Sequence, residues 1–310
     1  MRVRFSKMHG AGNDFVVVDA VRQTIPVTRI DWQQLADRRL GIGADQILLV
    51  EPAENPHHDF RYRIFNADGK EVQQCGNGAR CLVRFVHEQG LSAKSRLLVE
   101  TRAGLIAPEL VEGGEVVVDM GRPRFDLVAE GFLAKPCLAQ ISGSPPERIC
   151  RLEVPLESLP GVAQVLFDTA AIPPDSRVLG LDLLSMGNPH AVLWLDRPAG
   201  NALVDVLGAQ LCSHAAFVEG VNLGFGFLDR SAATLHLRVF ERGVGETLAC
   251  GSGACAAAVL AIEHLWAASP LQVQARGGKL LIDWPGGDAH VRMQGPAQTV
   301  FSGEIELLLR

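Results

Sequence analysis

Short runs of apolar residues, bounded by Gly, Pro or polar residues, divide this chain into predicted elements. Four of these runs predict β-strands, at residues 14–19, 46–51, 96–101 and 115–120. Two further segments alternate between apolar and polar residues, namely DFRYRIF at 59–65 and TLHLRVF at 234–240. The pattern therefore indicates a sheet-rich protein whose strands are half or fully buried.

Apolar residues at helical spacing follow two of the cysteines. After Cys75 they recur at Ala79, Leu82, Val83 and Val86, which predicts an amphipathic helix that Gly90 can end. After Cys250 the segment is apolar on nearly every face until Glu263, and such a helix must be buried. We therefore expect strands wrapped around one central helix, twice, with a cysteine at each helix N-terminus.

One offset relates the two cysteine loops, QCGNGARC at 74–81 and ACGSGAC at 249–255. Subtracting 75 from 250 gives 175. The same offset carries Gly12-Asn13 onto Gly187-Asn188, Arg63 onto Arg238, Phe65 onto Phe240, Glu71 onto Glu246, Gly76 onto Gly251, Gly78 onto Gly253 and Ala79 onto Ala254. A register held across separated blocks indicates a duplicated unit. Residues 122–180 have no counterpart in the first half and are interpreted as a linker with extra strands.

Composition bounds the class of protein. A chain of 310 residues predicts about two domains, and 47% hydrophobic with 21% charged residues is ordinary for a globular protein. The net charge of −6, without basic runs, argues against nucleic-acid binding. The N-terminus lacks a secretory apolar region, and the longest uncharged run is too short for a membrane span. Seven cysteines, an odd and sparse number, argue against a disulfide framework and predict a cytoplasmic protein.

The two cysteine loops combine a thiol with glycines at a helix N-terminus. The helix dipole and unpaired N–H groups there are expected to lower the thiol pKa and to bind a carboxylate. The alternative is that Cys75 and Cys250 are small core residues, but the duplicated glycine context favours function. Cys81 and Cys255, further along the helices, are expected in the core.

Other chemistries fit the loops poorly. Five and four residues separate the cysteines of each half, which is unlike a structural zinc site, so no metal is predicted. The glycines of the second loop loosely match a dinucleotide fingerprint without its βαβ context, and Cys-x-x-Cys is absent. No cofactor is expected.

Two facing cysteines suggest inversion of one carbon, with a thiolate removing a proton on one face and a thiol returning one on the other. Glu241 and Arg242 end a buried-looking strand beside the second cysteine, where charges are costly unless they meet a ligand or partner. Neutral amides able to hold ammonium and carboxylate groups stand at Asn13, Gln46, Asn66, Asn188 and Asn222.

Seven motifs together resemble the diaminopimelate epimerase family: KMHGAGNDFVVVD, GIGADQ, FNADG, QQCGNGARC, MGNPH, GVN and FERGVGETLACGSGAC, in that order along the chain. The resemblance implies a cofactor-independent epimerase that converts LL- to meso-diaminopimelate for lysine and peptidoglycan precursor synthesis, with Cys75 and Cys250 as the acid/base pair. It also implies a set of substrate-binding residues: Asn13, Gln46, Asn66, Gly76, Asn77, Asn188, His190, Asn222, Glu241, Arg242, Gly251 and Ser252.

The family's fold is α+β, with two pseudo-symmetric domains, each a mostly antiparallel barrel-like sheet around a central helix. The domains implied here are residues 1–121, completed by a C-terminal strand at 299–310, and residues 122–298. The partner is the small amino-acid substrate, without nucleic acid or membrane, and a homodimer is left open.

Two features depart from the family pattern: Ala11 replaces a larger apolar residue, and residues 126–180 form a longer segment. The alternative within the fold is a proline or hydroxyproline racemase, although Glu241 and Arg242 favour a substrate with a second amino-acid head group. A thiol redox or metal-binding protein is the alternative from another class.

Overall fold

The structure is a computed structural model that describes residues 1–72, 76–134, 141–143, 148–162, 165–166 and 176–307. The chain forms two compact units, Met1–Asp119 with Gln294–Arg310, and Met120–Met293. The α+β fold class is confirmed, whereas the domain boundaries inferred from the sequence, 1–121 with 299–310 and 122–298, stay a prediction.

The strands run in chain order as β1 (Arg2–Gly10), β2 (Asn13–Asp19), β3 (Gln46–Pro52), β4 (Phe60–Asn66), β5 (Glu71–Val72), β6 (Val99–Thr101), β7 (Gly104–Ile106), β8 (Glu109–Leu110), β9 (Val116–Asp119), β10 (Ile141–Gly143), β11 (Cys150–Pro155), β12 (Val178–Ser185), β13 (Pro189–Trp194), β14 (Asn222–Asp229), β15 (Thr234–Glu241), β16 (Gly245–Thr247), β17 (Leu271–Ala275), β18 (Gly278–Asp283), β19 (Arg292–Gly295) and β20 (Gln298–Glu306). The α-helices are α1 (Trp32–Ala36), α2 (Gly76–Glu88), α3 (Asn201–Cys212) and α4 (Gly251–Glu263).

In the first unit the strand order is β20-β1-β2-β3-β4-β6-β7, with β5 paired to β4. Two neighbouring pairs, β2–β3 and β4–β6, are parallel, and the others are antiparallel. The last strand, β20, pairs with β1, which brings the C-terminal segment back to the start of the chain. Helix α2 contacts β1, β2 and β3, so the sheet curves around it.

In the second unit the order is β10-β11-β12-β13-β14-β15-β17-β18, with β16 paired to β15. The parallel pairs here are β13–β14 and β15–β17. Helix α4 contacts β12, β13, β14, β15, β17 and β18, so it is the central helix of this sheet. The extra segment between the two halves supplies β10 and β11, which extend the sheet beyond β12.

The two units repeat the same elements at the offset found in the sequence. Adding 175 to the bounds of α2, 76 and 88, gives 251 and 263, which are the bounds of α4. The parallel pairs and the short hairpins β4–β5 and β15–β16 also correspond. The predicted duplication is therefore confirmed at the level of secondary structure.

Burial on both faces explains why the strands have continuous apolar runs. In β2, Val16 and Val18 belong to a cluster that includes Trp32 and Leu35 of α1. On the other face, a Cβ at Gly78 of α2 would lie 3.5 Å from the ring of Phe15. A sheet covered by helices on both faces needs apolar residues at successive positions.

The structure corrects one predicted strand and explains one predicted helix end. Residues 96–101 do not form a single strand, because β6 begins only at Val99. The N–H of Leu98 donates to the Asp59 carboxylate at 2.8 Å, which takes it out of the strand pairing. Helix α2 ends at Glu88, and the predicted terminator Gly90 follows it with a φ of 62° and an N–H bond to the His87 carbonyl, a left-handed cap.

Within the described ranges, no helix combines the length and hydropathy needed to cross a membrane.

Candidate active site

Cys250 occupies the N-cap position of α4. Its backbone is extended, with φ −111° and ψ 111°, and its carbonyl accepts the first helical hydrogen bond, from the Ala254 N–H at 2.9 Å. The residue is only 7% exposed. The hairpin β15–β16 and the glycines after Cys250 thus place a buried thiol at the start of a buried helix.

The expectation of a lowered thiol pKa is wrong for Cys250. Burial raises its pKa well above the usual value, and the nearby Glu241 carboxylate raises it further. Hydrogen bonds from Ser252 and from the Gly253 backbone lower the pKa, but by less. Desolvation of the charged form outweighs the helix N-terminus, so Cys250 is a thiol in this structure.

A chain of polar side chains leads to the Cys250 sulfur. His190 Nε2 lies 3.1 Å from Asn188 Oδ1, and Asn188 Nδ2 donates to Ser252 Oγ at 3.4 Å. Ser252 Oγ then lies 3.6 Å from Cys250 Sγ. Because Ser252 accepts from Asn188, its own hydroxyl proton can be donated to a Cys250 thiolate.

His190 is fully buried and stays neutral. Burial, assisted by the positive charge of Arg242, lowers its pKa to about 3. Since an amide oxygen can only accept, the neutral ring carries its proton on Nε2, facing Asn188. The tautomer of His190 and the direction of the Asn188 amide are therefore fixed together.

Glu241 and Arg242 are half-buried and have separate partners. The hydroxyl of Thr247 donates to Glu241 Oε1, while the Arg242 guanidinium donates to the Glu219 carbonyl at 3.3 Å. The amide oxygen of Asn222 accepts the Arg242 backbone N–H at 3.0 Å. These contacts hold both charged residues at the end of β15, next to the Cys250 loop.

In the first unit, a tight turn positions Asn13. Ala11 and Gly12, with φ of 55° and 90°, form the two-residue turn between β1 and β2, and such turns require positive φ at both positions. Gly187, before Asn188, has the same φ of 90°. Both halves therefore place their asparagine directly after a left-handed glycine.

The other amides of the first unit adjoin Asn13. Asn77 Nδ2 donates to Asn13 Oδ1 at 3.2 Å, and Gln46 Nε2 donates to Asn66 Oδ1 at 2.8 Å. Gln46 also lies beside Phe15 in β2 and opposite Asn66 in β4. The first-unit amides thus form two hydrogen-bonded pairs, and the pair Asn13–Asn77 includes a residue of the first turn of α2.

Within each unit, hydrogen bonds join described candidate residues to one another. Cys75 lies outside the described residues. Both helix cysteines expected in the core, Cys81 and Cys255, have 0% exposure.

Three supporting residues did not emerge from the sequence reasoning: Asp14, Asp45 and Thr247. Asp14 and Asp45 lie in motifs from which only the amide residues were selected. Asp14 directly follows Asn13 and Asp45 directly precedes Gln46, and these positions could have identified them. No sequence pattern singled out Thr247.

Among the described residues, no three His, Cys, Asp or Glu side chains gather in a way that could hold a metal ion.

Comparison with protein families gives a match to the diaminopimelate epimerase model over residues 5–126 and 183–300. Similar curated proteins include the diaminopimelate epimerases of Aromatoleum aromaticum and Chromobacterium violaceum. Each is 48% identical over 307 residues, covering 99% of this chain and 100% of the relative. These two alignments run through the segment that the family model leaves unmatched.

Solved structures with a similar fold are more distant in sequence. A Bacillus anthracis phenazine biosynthesis protein of the PhzF family is 17% identical with a TM-score of 0.63, covering 99% of both chains. A hydroxyproline epimerase from Agrobacterium vitis is 14% identical with a TM-score of 0.61, covering 99% of this chain and 93% of its own. At these identities the likeness concerns the fold alone.

Proposed function

This chain belongs to the diaminopimelate epimerase family, and we propose that Cys75 and Cys250 exchange the α-proton of its substrate. The activity is the interconversion of LL- and meso-diaminopimelate, an isomerase reaction of lysine and peptidoglycan precursor biosynthesis. A proline or hydroxyproline racemase is not the function, because the full-length relatives are diaminopimelate epimerases.

The observation that carries the proposed mechanism is the setting of Cys250. Its sulfur is buried at the start of α4, with Ser252 Oγ at 3.6 Å and Glu241 raising its pKa. A thiol kept protonated in this way can serve as the acid, and its partner Cys75 then serves as the thiolate base.

In the proposed reaction, the Cys75 thiolate takes the α-proton and the C–H electron pair stays on the substrate. That charge spreads into the α-carboxylate, and Cys250 donates its thiol proton to the opposite face of the carbon. Cys75 is then a thiol and Cys250 a thiolate, and exchange with water restores the starting pair. The reverse reaction uses the cysteines in exchanged roles.

The developing negative charge needs donors already in place. The first N–H groups of a helix have no intrahelical acceptor, so Gly251 and Ser252 in α4, and Gly76 and Asn77 in α2, are proposed to bind the α-carboxylate. Ser252 also stabilises the Cys250 thiolate by donating its hydroxyl proton.

The remaining candidates are proposed to hold the distal end of the substrate and its ammonium groups. Arg242 offers a planar guanidinium for the second carboxylate, and Glu241 offers a negative charge for an ammonium group. The other proposed contacts are neutral and orient the substrate without adding charge: Asn13, Gln46, Asn66, Asn188, His190 and Asn222.

The test is epimerisation of LL-diaminopimelate by purified protein, followed by chromatography of the isomers. Cys250→Ala should abolish the reaction, whereas Cys255→Ala, which removes a thiol from the core of the same helix, should retain it. Equal activity of both variants would remove Cys250 from the mechanism.

The cytoplasm is the proposed compartment, supported by the free thiols of the described cysteines, Cys81, Cys150, Cys212, Cys250 and Cys255. Assembly as a homodimer is also a proposal, and light scattering of the purified protein would test it.

A further inference from the structure

Asp45 contacts the amide of Asn13 from the side opposite Asn77. Asp45 Oδ2 accepts a hydrogen bond from Asn13 Nδ2 at 2.8 Å and another from the Asp14 backbone N–H at 3.1 Å. Asp45 is 32 residues from Asn13 in sequence. It reaches this position because β2 and β3 are parallel neighbours, with Phe15 beside Gln46.

A carboxylate determines which way an asparagine amide faces. The two ends of an amide have nearly the same shape, but one end only donates and the other only accepts. Because an ionised carboxylate only accepts, Asp45 selects the orientation in which Asn13 Nδ2 faces it. The amide oxygen of Asn13 then faces Asn77, whose Nδ2 donates to it at 3.2 Å.

Asp45 also connects to the other amide pair of this unit. Its backbone carbonyl accepts from the Ala67 N–H at 3.2 Å, next to Asn66. The following residue, Gln46, donates to Asn66. Asp45 therefore contacts the Asn13 amide through its side chain and adjoins the Gln46–Asn66 pair through its backbone.

The Asp45 carboxylate is itself held in place. Asp45 and Asp14 exchange hydrogen bonds, since the Asp45 N–H donates to Asp14 Oδ1 at 2.9 Å in return. Arg38 Nη2 donates to both carboxylates at 2.8 Å, and Lys7 Nζ donates to Asp14 Oδ2 at 2.6 Å. Two positive side chains thus balance two negative ones.

The neighbouring positive side chains keep Asp14 ionised. Burial by itself would raise the pKa of Asp14, but hydrogen bonds from Arg38 and Lys7 hold it well below the usual range. Because Asp14 is ionised and fixed, its hydrogen bonds with Asp45 hold the backbone and the carboxylate of Asp45 in one position.

The second unit has a hydrogen bond at the corresponding positions, but its donor and acceptor are exchanged. Adding 175 to 13 and 77 gives Asn188 and Ser252. There the Asn188 amide donates to Ser252, and its oxygen lies on the other side, 3.1 Å from His190 Nε2. At Asn13 the outer neighbour is a carboxylate, which can only accept, so there the neighbour decides the direction of the amide.

We propose that Asp45 is a positioning residue, whose carboxylate sets the direction of the Asn13 amide and thereby the placement of Asn77 at the start of α2. The inference rests on the proposed function, because Asn13 and Asn77 are proposed substrate contacts. Asp45 itself acts through Asn13 and touches no reacting atom.

The test is a double-mutant cycle of kcat/KM with Asp45→Asn and Asn13→Ala. Asparagine has the shape of aspartate but can donate, so the Asn13 amide can reverse. Asp45→Asn alone should lower kcat/KM about 100-fold, the cost of a misplacement of about 1 Å near the reaction. In the Asn13→Ala background the same change should cost less than about 3-fold, since contacting residues that act as one unit are non-additive.

Asp59→Asn is the matched control. Asp59 also accepts from a cationic side chain, Lys94 at 2.7 Å, and from a backbone N–H, that of Leu98, but it adjoins no candidate residue. It should retain the wild-type kcat/KM. Additive losses from Asp45→Asn and Asn13→Ala, or full activity of Asp45→Asn, would overturn the inference.

A second measurement uses the folded wild-type protein and does not depend on activity. The Asn13 side-chain amide resonances, assigned by their loss in Asn13→Ala, should exchange with solvent at least about 10-fold more slowly than those of the exposed Asn55, because a hydrogen-bonded amide must open before it exchanges. Equal exchange rates would refute the contact with Asp45. A wild-type protein that fails to epimerise diaminopimelate would instead refute the proposed function, and the exchange measurement would still decide the inference.

Discussion

The guanidinium of Arg238 donates two hydrogen bonds to the carboxylate of Glu246, from Nε to Oε1 at 2.6 Å and from Nη2 to Oε2 at 2.8 Å. Arg63 and Glu71 make the same paired contact in the first unit, with both distances at 2.8 Å. In each unit this ion pair joins the two strands of the hairpin before the cysteine loop. Both units therefore keep the cysteine loop and also the ion pair that joins the strands of the hairpin before it.

Two arginines near the second loop should respond differently to the same substitution. Arg242→Lys should lower kcat/KM for diaminopimelate about 10- to 100-fold, because a lost charge-assisted hydrogen bond costs about 1.5–3 kcal/mol. Its effect on stability should be small, since its guanidinium donates to Glu219, whose side chain is exposed. Steady-state kinetics and thermal unfolding measure the two effects.

Arg238→Lys is the control for that variant. It breaks the paired contact between Arg238 and Glu246, whose side chains are both largely buried. The variant should therefore have a lower melting temperature, with a KM near the wild-type value. If Arg242→Lys kept the wild-type kcat/KM, Arg242 would not hold the distal carboxylate.

Deuterium from solvent should enter the inverted α-carbon when LL-diaminopimelate reacts in D₂O. The proton delivered comes from a thiol that exchanges with water between turnovers, so the meso product should lose its α-proton NMR signal at that carbon. Inversion with full retention of the substrate proton would contradict the exchange of roles between two cysteines.

Asp182 should make the stability of the protein depend on pH in the acid range. Its fully buried carboxylate binds Arg151 Nε and His264 Nε2, each at 2.7 Å, beyond the C-terminal end of α4. Burial by itself would raise its pKa, but hydrogen bonds from His264 and Arg151 lower it below the usual value of an aspartate. A carboxyl group with a lowered pKa in the folded state stabilises the protein above its unfolded pKa, and that contribution is lost as the pH falls through the folded value.

Asp182→Asn should therefore lower the free energy of unfolding by about 3 kcal/mol at neutral pH, since it leaves Arg151 without its buried ionic partner. It should also remove part of the loss of stability below about pH 4. Urea unfolding of both proteins between pH 3 and 7 checks this, and identical pH profiles would show that Asp182 makes no such contribution.

Gly208→Ala should destabilise the protein, although the same change usually strengthens a helix. A Cβ at Gly208 in α3 would lie 2.3 Å from Cδ2 of Phe240, the residue before Glu241. Overpacking of this kind costs about 1–3 kcal/mol, which exceeds the helix propensity gained, about 1 kcal/mol. Thermal unfolding measures the change, and Phe240→Leu in the same chain should recover part of the loss. A variant more stable than the wild type would disprove the close packing.

The sequence by itself determined the repeated architecture. Strand alternation, helical spacing and the glycines at positions 12, 187 and 90 are local signals, because side-chain direction and positive φ depend on neighbouring residues. The predicted strand 96–101 was too long. The Leu98 N–H donates to Asp59, which is 39 positions away in sequence, so no local pattern could indicate it. The composition of the site, including both cysteine loops and the amides, could likewise be identified from motifs in the chain.

Only the tertiary structure decided the protonation and the direction of the site groups. The sequence predicted a lowered pKa for Cys250 from the helix N-terminus, but burial and Glu241 raise it, and burial follows from how the whole unit packs. The amide oxygen of Asn13 faces Asn77 because Asp45, just before β3, accepts from the other end of the amide. A pKa and the polarity of a hydrogen bond depend on groups that folding brings together across sequence distance, and no local pattern along the chain records them.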